Sequence, residues 1–176
     1  MVRRFFAFAD GSVACSRHSD DGALSDLIRL YAKSPAGMDE ALVLYYTIEL
    51  LRTLHGLHAA GVVHGNVHPS TVLLRNDAED EDDWQKQWTA EGQGGWADRG
   101  ILLTGLQHAF VAADVPEGVV PVGSSVAEVA KQQQRTGLTL GLDYLGLAYT
   151  VHYLLFGQRL KVSMTDQGWM PSTPFK

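Results

Sequence analysis

Apolar residues first cluster in two short runs, residues 5–8 and 12–16, on either side of Ala9-Asp10-Gly11. Asp-Gly between apolar runs predicts an antiparallel hairpin. A polar connector, RHSDDG over 17–22, follows. Leu24, Leu27, Ile28 and Leu30 then recur at helical spacing, which predicts a short helix over 23–33. Ser34-Pro35-Ala36-Gly37 breaks it. The strongest helical pattern runs over 38–60. Ala41, Leu44, Tyr45, Ile48, Leu51, Leu54 and Leu57 keep one stripe, and Leu42, Tyr46 and Leu50 widen it. So apolar a helix should be mostly buried, and Gly61 should stop it.

The stretch VVHGNVHPSTVLL, residues 62–74, follows at once. Two β-branched residues lead into His64, a polar loop with Pro69 comes next, and Val72 to Leu74 closes the unit. Residues 101–103 form a short apolar strand suited to pair with 72–74. Between them the composition changes, with six carboxylates in residues 76–83 and three glycines in 85–95. That makes 75–97 a surface insertion. It carries Trp84, Trp88 and Trp96, so it offers either a packed anchor or a partner-binding tip. Residues 107–122 read as irregular, and 124–135 as at most a helical turn. Residues 140–156 predict a second buried helix with Asp143 near its start and Gly157 as its stop. The tail from Ser163 has little periodicity.

Composition narrows the function. The chain has 176 residues, 45% of them apolar, enough for one domain with a core. A net charge of -6 with no basic stripe argues against nucleic acid as a partner. No apolar run is long enough to span a bilayer, so no membrane partner is expected. The lone Cys15 excludes an internal disulfide and fits a reducing compartment. His55, His58 and His64 lack the converging carboxylate or thiolate of a zinc site, and the run from Asp77 to Asp83 lacks the spacing of a calcium loop. No metal and no cofactor is expected. Ser16 and Ser70 sit in no nucleophile turn.

The outline of 62–74 resembles a protein-kinase catalytic loop, H-R-D-x-K-x-x-N in active kinases. His64 matches, but Asn66 stands at the base position, His68 at the lysine and Thr71 at the metal-binding asparagine. Four stretches in register sharpen the resemblance: EALVLYYTIELLRTLHGLHAAGVVHGN, WADRGILLTGLQHAF, VPEGVV and LDYLGLAYTVHYLLFGQRLKV. Each is similar to a segment of the Bub family of spindle-checkpoint kinases. The resemblance points to its degenerate branch, the Bub-like pseudokinases of kinetoplastid kinetochores. It implies an α+β fold: the mainly helical large lobe of a protein kinase with a remnant small-lobe β-hairpin. Residues 1–176 would form one kinase-like domain, incomplete at both lobes, since no G-x-G-x-x-G and no A-P-E motif occurs.

By the same resemblance the metal-binding aspartate falls on Thr104. An amide at Asn66 cannot take a proton at neutral pH, and Thr104 carries no charge. These losses imply no enzyme, with binding of ATP and magnesium weak or absent. They leave a catalytically inactive interaction module for kinetochore or checkpoint proteins, located in the nucleus at the kinetochore. The alternative is an atypical phosphotransferase or nucleotide sensor with a rearranged site that draws on Asp114 or Glu117. His64 and Asp143 match a pair that braces the loop in kinases. Phe6, Leu106, Trp84 and Trp88 are the candidate partner surface.

Overall fold

A computed structural model of the chain describes residues 2–16, 21–32, 37–76, 99–115, 140–166 and 168–171. Strands β1 (Val2–Phe8) and β2 (Gly11–Ser16) form the expected antiparallel hairpin. Its turn differs in detail. Phe8 pairs with Gly11, so Ala9 and Asp10 are the two loop residues. Neither has positive φ, so the glycine closes the ladder and does not shape the turn. Helix α1 (Leu24–Tyr31) starts where Asp26 Oδ2 accepts a hydrogen bond from the Ala23 N–H at 3.0 Å. Leu24 and Ile28 are buried, whereas Leu30 faces out.

Helix α2 (Glu40–Ala59) is capped by Asp39, whose Oδ1 accepts from the Ala41 N–H at 2.8 Å. Gly61, at φ 73°, turns the chain out of the helix. The buried face is Leu42, Val43, Tyr46, Leu50 and Leu54. Most of the stripe expected from periodicity lies elsewhere: Ala41, Leu44, Ile48 and Leu51 are exposed. The physical reason is that apolar residues run nearly all round this helix. Its period defines more than one apolar face, and the tertiary partner decides which one is buried.

Strand β3 (Val62–Val63) pairs antiparallel with β6 (Phe110–Val111). Strand β4 (Val72–Asn76) pairs antiparallel with β5 (Arg99–Leu103), in the register that sets Leu73 opposite Leu102 and Leu74 opposite Ile101. Helix α3 (Gly141–Phe156) ends at Gly157, φ 62°. A hairpin of β7 (Val162–Thr165) and β8 (Gly168–Pro171) follows, in a tail whose sequence has no alternation to announce it. The main core joins Leu24 and Ile28 of α1, the buried face of α2, Val67, Val72, Leu103, and Leu147 and Leu154 of α3. Val63 and Leu142 form a smaller cluster with Phe110. None of the described helices is long and apolar enough to cross a membrane. The stretch 77–98, most of the expected insertion, lies outside the described residues, together with Trp84, Trp88 and Trp96.

Candidate functional site

The loop between β3 and β4 sits on α3. Residues Val63, His64, Gly65, Asn66 and Val67 are all buried. Burying five consecutive residues of irregular backbone leaves N–H groups that need acceptors. Asp143, fully buried, supplies two: its Oδ2 accepts from the His64 N–H and its Oδ1 from the Gly65 N–H, each at 2.8 Å. His58, at the end of α2, donates from Nε2 to the same Oδ2 at 2.9 Å. One carboxylate thus ties α2, the loop and α3 together. One turn further along α3, Gly146 lets the loop approach closely. A Cβ there would lie 2.6 Å from the Val67 carbonyl oxygen. Gly65 is likewise forced: φ is 74°, and a Cβ would meet the His108 carbonyl at 2.8 Å.

The His64 ring is fixed on both sides. Nδ1 accepts from the Asn66 N–H at 3.2 Å, so the proton is on Nε2, which donates to the Thr104 carbonyl at 2.8 Å. Burial lowers the pKa of His64 below its ordinary value, and nearby His108 acts the same way. The Thr104 carbonyl and Asp143 oppose the shift without reversing it. His68 is lowered too, first by burial and then by the positive fields of His64, Arg159 and His108. Its Nδ1 accepts from the Ser70 N–H at 3.2 Å and caps the short 3-10 turn Pro69–Thr71.

Asn66, Thr71 and Thr104 come together. The Thr71 hydroxyl lies 3.0 Å from the Asn66 carbonyl and 2.9 Å from the His68 carbonyl, and accepts from the His68 N–H at 3.2 Å. Thr104 donates both its N–H, at 2.7 Å, and its hydroxyl, at 3.0 Å, to the Thr71 carbonyl. Gly105 follows at φ 84°, where a Cβ would lie 2.9 Å from Thr71 Cγ2. These donors do not fit a divalent cation. Both hydroxyls are spent on backbone carbonyls, and the described residues contain no group of three His, Cys, Asp or Glu that could hold a metal.

The other candidates lie apart from this cluster or outside the description. Leu106 is exposed on the 3-10 turn Leu106–His108, and Phe6 is exposed on β1. Asp114 is exposed in the turn after β6, and Glu117 lies outside the described residues. Sequence reasoning missed His58, Gly65 and Gly146. His58 was weighed only as a metal ligand. A helical glycine three residues after a buried carboxylate was the available signal for Gly146.

A two-stranded hairpin, a long helix leading into a buried loop, two paired strands after it and a second buried helix beneath it make a protein-kinase-like fold. The crystal structure of the BubR1 kinase domain matches it with a TM-score of 0.68 at 22% identity, over 94% of this chain and 47% of that one. No protein-family model matches. In sequence, the chain is 27% identical over 166 residues to the spindle assembly checkpoint serine/threonine-protein kinase bub1 of Schizosaccharomyces pombe, covering 91% of this chain and 16% of that protein. It is 26% identical to the mitotic checkpoint serine/threonine-protein kinase BUB1 of Arabidopsis thaliana, over 100% of this chain and 34% of that protein. Over most of its length this chain is similar to the Bub-family checkpoint kinases, and it spans 16% and 34% of the length of those two proteins.

The relationship corrects one expectation. The substitutions at Asn66, Thr71 and Thr104 implied that the chain is not an enzyme. Its relatives are named serine/threonine protein kinases, and that overturns the inference. The physical reason is that matching a motif by register assigns positions, not chemistry. Phosphoryl transfer rests on positioning and electrostatics, which groups outside the motif can supply.

Proposed function

We propose that the chain is a checkpoint kinase-like domain that docks protein partners of the kinetochore or spindle checkpoint, in the nucleus. The observation that carries this is an open apolar face on the hairpin. Phe6 pairs with Val13 across the strands, and Phe8 lies two residues along on the same face. Their exposures are 45%, 50% and 61%, and Leu106 is exposed at 45% on its own turn. A two-stranded hairpin is marginal alone, and neighbouring exposed aromatics mark a surface that something covers. The loop after α2 is held by Asp143 and backed by Gly146. The names of the relatives support a checkpoint partner, and fold and chemistry are separable.

The test places a charge in each patch, as Phe6→Asp and Leu106→Asp, and reads folding and co-purified kinetochore proteins. Partners lost with the melting point kept supports docking here. Partners unchanged in a folded variant moves the face elsewhere, with the segment holding Trp84 and Trp88 next. Loss of folding makes these residues core.

A second reading, phosphoryl transfer or nucleotide sensing through a rearranged site, is favoured by the relatives being named kinases. Asp114 is the described carboxylate in the segment after Thr104. A thermal-shift titration with ATP and magnesium separates the two. Binding to the folded state must raise the midpoint by mass action, and a flat response removes this reading.

A further inference from the structure

A cavity of about 430 Å³ opens between α1, the loop around Pro69, α3 and the segment just after α3. Its described wall holds Ser25, Arg29, Arg159, His68, Ser70, Tyr149 and Tyr153 as polar groups, and no carboxylate. That is unusual in a chain of net charge -6. The groups are all able to donate. Because His68 Nδ1 accepts from the Ser70 N–H, the proton of the neutral ring sits on Nε2. Arg159 has no carboxylate partner among the described residues. Arg29 touches Asp26 at 3.3 Å, but both side chains are more than half exposed, so that pair is weak and easily exchanged.

We propose that this cavity is a binding site for an anionic peptide segment of a partner protein, with Arg29 and Arg159 taking its phosphate or carboxylates. Two arginines on different elements line one space, and the planar donor fork of a guanidinium suits such oxyanions. The cavity is of the size that holds a small molecule or several residues, larger than a bare phosphate needs. Val67, Pro69 and Leu160 add apolar wall that a free ion cannot use. The residues are distinct from Phe6 and Leu106, so this site and the hairpin face can each fail alone.

The experiment uses the whole 176-residue chain. Three degenerate labelled octapeptide libraries are titrated by fluorescence polarisation: one with central phosphoserine, one with a central run of glutamates and one with serine. The expected result is binding of an anionic library about tenfold or more tighter than the serine one, weakening as salt is raised. The phosphoserine and glutamate arms identify the anion. Arg29→Ala with Arg159→Ala should weaken binding by about tenfold or more, as expected for losing hydrogen bonds to a charged group. Ser70→Glu is a second variant at an exposed position. It sets a carboxylate in the wall and should abolish binding while the melting point holds. Equal binding of all libraries, or of none, overturns the proposal. So does anionic binding unchanged in the folded variants. Inorganic phosphate binding as tightly as the peptides would make this a free-anion site and overturn the peptide assignment.

Discussion

Replacing Asp143 by alanine tests whether the loop depends on one carboxylate. In the parent that carboxylate accepts from two buried backbone N–H groups at 2.8 Å and from His58 at 2.9 Å, with no exposure to water. Alanine leaves the two backbone donors without an acceptor. An unsatisfied buried donor costs about 1–3 kcal/mol, so the pair costs about 2–6 kcal/mol. For a chain of this length each kcal/mol lowers the melting point by about 2–4 °C, so the expected fall is about 4–24 °C. Asp143→Asn keeps the shape and one acceptor oxygen but turns an amide N–H₂ toward the second donor. It should fall between parent and alanine. The assay is thermal unfolding with amide hydrogen exchange at His64 and Gly65, whose protection should drop first. His58→Ala combined with Asp143→Ala should cost less than the sum of the two, because both act through one network. An Asp143→Ala protein that melts within about 2 °C of the parent would refute the bracing role.

Two further outcomes follow from the same geometry. Gly146→Ala brings a methyl to 2.6 Å from the Val67 carbonyl oxygen and 2.8 Å from Val67 Cβ. Overpacking of that kind costs about 1–3 kcal/mol, and a urea midpoint at or above the parent's would contradict it. The pKa of His64 is lowered in the fold, so the unfolded chain takes up its proton first as pH falls. Its stabilising contribution is therefore whole above the unfolded value of about 6.5 and is lost as pH drops from there toward the lower folded value. His68 has the same sign. Titration of the ring protons by NMR should place both midpoints below 6.5, and a midpoint above it for either ring sinks that assignment.

Much of this fold was legible in the chain because local signals agreed with it. Asp10-Gly11 between apolar runs, the long periodic stretch after Met38, and the apolar triplets around Leu73 and Leu102 each describe the element that forms. What could not be read is which face an element buries. Helix α2 is apolar on several sides, so Leu44, Ile48 and Leu51 looked as buriable as Leu42, Tyr46 and Leu50. In α3 the buried side carries Asp143, Thr150 and His152, while Tyr144, Leu155 and Phe156 face out. Hydropathy misleads there, because the loop beneath needs a polar acceptor and a missing Cβ from its helix. The hairpin of β7 and β8 gave no alternation to find. The pocket around Arg29 and Arg159 assembles from segments more than a hundred residues apart, as their numbers alone show.

Asn66, Thr71 and Thr104 lie together in the structure, joined through Thr71. The sequence resemblance sets these three at the positions of a base and two metal ligands. In the structure they are linked: Thr71 reaches the Asn66 carbonyl through its hydroxyl, and Thr104 closes on the Thr71 carbonyl through both its N–H and its hydroxyl. Gly105 then has to lack a Cβ because Thr71 Cγ2 occupies that space. An aspartate at position 104 would lose the hydroxyl donor and turn a carboxylate toward the carbonyl it now serves. An asparagine at 71 would lose the hydroxyl that accepts from the His68 N–H while donating to the carbonyls behind it. Either change would break side-chain hydrogen bonds at this corner, whereas the carbonyls of Asn66 and Thr71 are main-chain acceptors that any residue at 66 or 71 keeps. The loop's hold on α3 runs through other residues: Asp143 accepts from the His64 and Gly65 N–H groups, and Gly146 leaves room for the Val67 carbonyl.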